Sequence, residues 1–178
     1  MLTQEKCFHR KALIDQIEAS NRDEWIDNQD LYNFIVGIDR DSSKGIYTKK
    51  ASLHFLVREY NDSIGGEPAD YSKQFQVDHV IPQALLEKED AELWDGWDQA
   101  TYELWLHKWA NLVPLTPEGN SWKSAKNFDA AKNIFNDGDG NNYHSASEVF
   151  KEEKWTPLQV EQRAIKIANM VMKRWALP

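Results

Sequence analysis

The sequence predicts an α+β, mostly α fold in which a short antiparallel pair of strands and one helix sit inside a helical domain. Three observations carry this expectation. Apolar residues recur at helical spacing through most of the first half; short runs near 75–79 and 112–115 read as strands; and a helical pattern follows the second run. A chain of 178 residues with 41% hydrophobic residues can build one compact domain. Its expected parts are a helical region over 1–70, a strand–insertion–strand–helix core over 71–135 with a helical insertion at 84–110, and a loop and C-terminal helix over 136–178 packed on that core.

In the first half, Leu13, Ile14 and Ile17 form one stripe and Leu31, Phe34, Ile35 and Ile38 another. Gly37 weakens the second helix, because glycine costs about 1 kcal/mol relative to alanine inside a helix. A further helix is expected over 50–60, where Leu53, Leu56, Val57 and Tyr60 share a face, and 62–68 reads as a loop. Residues 75–77 alternate apolar and polar, a strand leading into Asp78 and His79 that Pro82 stops from continuing as a central strand. The stretch 84–110 suggests one or two helices containing Trp94, Trp97, Trp105 and Trp109. A second strand covers 112–115, with Pro114 implying an edge.

Gly119 and Asn120 are then expected to open a helix running through Ile134, with Trp122, Ala125, Phe128, Ala131 and Phe135 at helical spacing. Residues 136–142 read as a flexible loop, in which Gly138 and Asn141 break the ligand pattern of a calcium-binding EF-hand. Thr156 and Pro157 supply the N-cap and first residue of a last helix, whose buried face is Val160, Ala164, Ile167, Ala168, Val171 and Trp175. No run approaches the roughly 20 apolar residues needed to cross a bilayer. Residues 1–11 lack the layout of a signal peptide, and Cys7, the sole cysteine, can form no internal disulfide. A cytoplasmic protein without membrane association is expected.

The order Asp78-His79-Val80-Ile81-Pro82-Gln83, Asn111-Leu112-Val113-Pro114-Leu115, Asn120 and Lys123 resembles the ββα-metal site of HNH (His-Me finger) nucleases. Together with Phe128, Lys132, Trp155-Thr156, Arg163 and Trp175, these residues look like the C-terminal nuclease domain of GmrSD-type, modification-dependent restriction proteins. The likeness spans about 100 residues. It implies a metal-dependent endonuclease acting on DNA, the effector of a phage-defence or restriction system, with Mg²⁺ or Mn²⁺ as cofactor. By that resemblance His79 is the base, Asp78 and Asn120 bind the metal, Asn111 orients His79, and Lys123 meets phosphate. Arg163 either takes part in the chemistry or braces the C-terminal helix. Ala110 departs from the glycine usual before the asparagine. Full-length relatives carry an N-terminal ParB-like domain; the sequence contains no such domain, so either an excised effector domain or a separate partner subunit is implied.

The chemistry of these side chains fits that reading. Phosphodiester hydrolysis needs a base for the attacking water, and a neutral imidazole can take its proton near pH 7. A hard cation held by oxygen ligands can stabilise both the phosphate and the departing oxygen, and Asp78 and the amide oxygen of Asn120 are such ligands. Adjacent side chains on a regular strand point to opposite faces, so Asp78 and His79 share a site only if the strand ends or twists there. Lys123, expected in the first turn of its helix, would oppose the helix dipole and be better placed against a phosphate.

The net charge of −8 counts against tight nonspecific DNA binding. Its distribution softens the objection, since 84–110 carries seven acids against Lys88 and Lys108, whereas 120–135 holds Lys123, Lys126 and Lys132 against Asp129. Plainer readings exist for each residue. Asp78 and His79 can be an ordinary strand end, Asn111 a turn residue, Asn120 an N-cap and Lys123 a solvated cation. His107, beside Trp105, Leu106 and Trp109, is expected to be structural rather than a ligand. His144 falls in a polar loop, and His9 and His54 in helices away from the motif. The tryptophans read as core rather than as base-stacking platforms. The competing functions are a catalytically silent nucleic-acid or partner-binding module on the same scaffold, and an RNase or toxin-like nuclease.

Overall fold

The computed structural model describes residues 27–36, 47, 50–65, 69, 71, 75–83, 96–124, 126–137 and 143–176. Helix α1 (Asn28–Ile35) starts at a capping box in which Asp27 accepts from Asp30 N, and it buries Leu31 and Ile35. Helix α2 (Lys50–Ser63) buries the expected stripe of Leu53, Leu56, Val57 and Tyr60. It runs past the expected end at 60, and Gly65 then adopts a left-handed φ of 88°.

Strand β1 (Gln76–His79) pairs antiparallel with β2 (Leu112–Leu115), with Gln76 opposite Leu115 and His79 opposite Leu112. The described part of the intervening chain includes helix α3 (Gln99–Trp105), capped by Asp98, and a 3-10 turn (Trp109–Asn111). Beyond β2 come α4 (Pro117–Lys123), α5 (Phe128–Asp137), α6 (His144–Phe150) and α7 (Pro157–Trp175). The architecture is α+β and mostly α, as expected, and the described residues contain one two-stranded sheet. Pro114 fits because each strand of such a pair has an open edge.

Every residue of β2 is buried, since α2 and α6 both pack on it. Helix α7 forms the backbone of the core. Its capping box joins Thr156 and Gln159, and the expected residues from Val160 to Trp175 face inward against α1, α2, α3 and the 3-10 turn. Trp97, Trp105, Trp109, Trp155 and Trp175 all join this core as expected, although only Trp105 and Trp175 lie in α-helices.

The helix expected over 120–134 is two helices. Thr116 is the N-cap of α4, with its side chain accepting from Gly119 N and Pro117 at the first position, so Asn120 lies inside the helix rather than capping it. Helix α4 ends at Ser124, whose φ of 45° is one that non-glycine residues rarely adopt. A new start follows where Asn127 Oδ1 accepts from Ala130 N. Lys123 therefore stands in the last turn of α4, where a cation complements the helix dipole; the expected first-turn conflict is absent. The Leu13 stripe, Cys7, His9, Gly37, Ile38, Trp94, Ala125 and residues 138–142 lie outside the described residues, as do 84–95 of the insertion.

Candidate active site

One residue, Thr116, joins the end of β2 to the start of α4, so the helix folds back across the strand pair and packs on both strands. Gln76 and Asp78 share a face of β1 because strand side chains alternate, and Asn120 and Lys123 share a face of α4 at i, i+3. The two faces meet twice. Asn120 Nδ2 donates to Gln76 Oε1 at 2.6 Å, and Lys123 Nζ lies 2.7 Å from Asp78 Oδ2. The Lys123 ion pair is sequestered, with only 4% of the lysine side chain and 22% of the aspartate side chain exposed.

His79 is the last residue of β1 and is buried. The ladder continues for one hydrogen bond, Val80 N to Asn111 O at 2.8 Å, before the chain bends toward Pro82. His79 is still a paired residue of β1, opposite Leu112; Lys123 pairs with Asp78 and its charge also acts on His79. Tyr47 packs against the His79 ring at a centroid distance of 4.2 Å, and the Asp78 charge acts on its hydroxyl.

His107 was expected to be structural, yet its Nδ1 lies 3.1 Å from His79 Nε2, and its ring stacks on Tyr47. Helix α3 stops at Leu106, so His107 occupies a turn and is free of the tryptophan-lined helical face to which its spacing would assign it. Its position four residues ahead of Asn111 is the sequence signal that makes it an alternative ligand candidate, against which its tryptophan neighbours favour a structural role.

Asn111 is fully buried, and its amide is spent on backbone. Oδ1 accepts from Ile81 N at 3.0 Å, while Nδ2 donates to Leu106 O at 2.9 Å. Trp155 Nε1 approaches the same Oδ1 at 3.5 Å. The expected direct hold of Asn111 on the His79 ring is therefore replaced by a bracket: one amide joins the segment after His79 to the residue before His107. Arg163 braces this bracket from α7, donating through Nη1 to Ala110 O at 2.6 Å and Leu112 O at 2.9 Å on either side of Asn111.

Burial, the neighbouring His107 and Lys123 push the His79 pKa down to about 3, so the ring is neutral at physiological pH. Burial lowers His107 as well, and burial together with Asp78 raises Tyr47. For His79 the folded pKa lies below the unfolded value, so its contribution to stability is complete above about pH 6.5 and is lost as pH falls toward 3. Over that window the loss is about 1.4 kcal/mol per pH unit. Urea titrations from pH 7 to 4 are expected to show this slope, reduced in His79→Gln; identical slopes for the two proteins would contradict it.

Among the described residues no three His, Cys, Asp or Glu side chains are grouped to hold a metal ion. The available donors are the oxygens of Asp78 and Asn120. Asp78 Oδ2 is buried and accepts no aligned hydrogen bond, although the Lys123 ammonium is close enough for an ion pair. A hard cation that takes one or two carboxylates and completes its shell with water and phosphate would share Asp78 with the Lys123 ammonium, 2.7 Å from Oδ2, or displace it. Carboxylate and amide oxygens are donors of the kind Mg²⁺ or Mn²⁺ takes, but these two do not make a closed site of protein ligands alone.

No helix among the described residues is long and apolar enough to cross a membrane. No curated protein and no solved structure matches the chain. A family model described as GmrSD restriction endonucleases, C-terminal domain, matches residues 25–170, a span that holds both strands, α4 and most of α7. The chain belongs to the C-terminal domain family of the GmrSD restriction endonucleases.

Proposed function

We propose that the protein is a metal-dependent endonuclease of HNH type that hydrolyses DNA phosphodiester bonds, as the effector domain of a phage-defence or modification-dependent restriction system. The single observation that carries this reading is that α4, folded over the strand pair, sets Lys123 against Asp78 and Asn120 against Gln76 on β1, the strand that ends in His79. Asp78 and Asn120 would hold Mg²⁺ or Mn²⁺, which when bound supplies positive charge to the scissile phosphate and the departing oxygen. His79, neutral and buried, takes the proton of the attacking water. A phosphodiester entering beside the ring brings negative charge that raises its basicity from the low value of the free site. Lys123 offers its ammonium to a phosphate oxygen beside Asp78. Trp122 is 49% exposed on α4 between Asn120 and Lys123, unlike the other described tryptophans, and presents an aromatic face on which a base can stack.

The test is plasmid cleavage with Mg²⁺ or Mn²⁺, with EDTA as control, and with unmodified DNA, modified DNA and matched RNA as competing substrates. Cleavage that survives EDTA would remove the metal, and preference for RNA would move the enzyme to the toxin-like class. Asp78→Ala is expected to weaken Mn²⁺ binding, read by titration calorimetry, by roughly tenfold or more. Unchanged Mn²⁺ affinity in that variant would exclude Asp78 as a ligand. The Lys123–Asp78 ion pair favours a second reading, a silent binding module whose lysine has taken the cation's place. DNA binding without cleavage under every metal and modification tested would select it. A ParB-like domain or separate subunit would deliver either form to its target.

A further inference from the structure

We propose that His107 is a positioning residue for His79, fixing the orientation and tautomer of its ring. The contact is a single hydrogen bond between His79 Nε2 and His107 Nδ1 at 3.1 Å, with the two rings near perpendicular at 73°. Such a bond needs one N–H and one lone pair. Tyr47 lies against both rings, tilted on His79 and stacked on His107, which limits rotation of each. The Asn111 amide sets the separation, because one side chain grips Ile81 N, two residues after His79, and Leu106 O, one residue before His107.

The direction of the bond rests on the nuclease reading. If His79 Nε2–H donates to the lone pair of His107 Nδ1, the Nδ1 of His79 keeps a free lone pair and can accept a proton from water. If the bond ran the other way, His79 Nε2 would be occupied as acceptor and Nδ1 would carry the hydrogen, leaving no basic nitrogen on the ring. After proton transfer, His79 would carry both N–H groups, with Nε2–H still held by His107 in a charge-assisted bond. A histidine whose other nitrogen is fixed by a partner is the usual way a reactive imidazole is oriented.

The test is nitrogen NMR of the ¹⁵N-labelled full chain at neutral pH, which reads the tautomer of His79 without requiring activity. The wild type is expected to hold His79 in the Nε2–H form. His107→Phe keeps a ring beside Tyr47 but removes the acceptor, and should give a mixture of tautomers in a folded protein. His107→Asn, whose amide oxygen can stand where Nδ1 stood, should restore the single form. In cleavage assays kcat should fall roughly 10- to 100-fold in His107→Phe with KM little changed, and recover in His107→Asn. A His79 ring in the Nδ1–H form in the wild type, or an unchanged tautomer in folded His107→Phe, would overturn the proposal. If the wild type cleaves nothing, the nuclease reading fails, while the tautomer measurement still decides the role of His107.

Discussion

His79→Ala is expected to reduce cleavage by roughly 10²- to 10⁴-fold, the range general-base catalysis supplies, while the protein remains folded and still binds Mn²⁺. Folding should survive because β1 is held by backbone bonds opposite β2, and the ladder bond from Val80 N to Asn111 O involves no side chain of His79. The ring's side-chain hydrogen bond is to His107, which is half-buried and can turn to water when the partner is removed. Metal binding should survive because Asp78 and Asn120 are held by Lys123 and Gln76 rather than by His79. The informative measurement is single-turnover cleavage beside Mn²⁺ calorimetry on the same preparation. Full activity in the variant would remove His79 as the base. Loss of activity together with metal binding would instead indicate a collapsed site.

The elements nearest the candidate site were legible where a short physical rule governs them. Pro82 bars a longer central strand and β1 stops at His79, and Thr156-Pro157 starts α7 as expected. The same Thr-Pro signal at 116–117 starts α4, yet the apolar spacing beyond it ran on smoothly enough to hide both that start and the break at Ser124. Positive φ at a serine has no signature in hydropathy. The partnership of His79 with His107 was not legible, because it depends on where α3 stops and on an asparagine amide that joins two backbone segments distant in sequence. Asn111 illustrates the general reason. Its residue type announced a polar role, but whether that amide meets a ring or two peptide groups is decided by packing from Trp155 and Arg163, which lie far along the chain.

Arg163 carries the largest expected effect on stability. It is 3% exposed on a helix face otherwise lined by Val160, Ala164 and Ile167, where hydropathy alone would place a leucine. Its Nη1 satisfies the carbonyls of Ala110 and Leu112, both in fully buried residues, and its guanidinium lies over the Tyr60 ring at 5.4 Å. Nε is 3.6 Å from Glu148 Oε2, an ion pair rather than a hydrogen bond. Glu148 keeps Lys166 and the Tyr60 hydroxyl as partners in any event. Arg163→Leu preserves most of the apolar packing but strips the two carbonyls of their donor, at about 1–3 kcal/mol for each buried group left unpaired. A loss of about 3 kcal/mol would lower Tm by about 6–12 °C in a chain of this size. Lys166→Ala removes a more exposed partner of the same carboxylate, and a surface ion pair of that kind is worth about 1 kcal/mol at most. Calorimetric melting of both variants separates the explanations: a large drop for Arg163→Leu alone assigns the stability to the backbone clamp around Asn111, whereas equal drops would assign it to the charge on Glu148. If Arg163→Leu melts within about 2 °C of the wild type, a shift that corresponds to no more than about 1 kcal/mol in a chain of this size, the clamp is not what holds α7 to the strand pair.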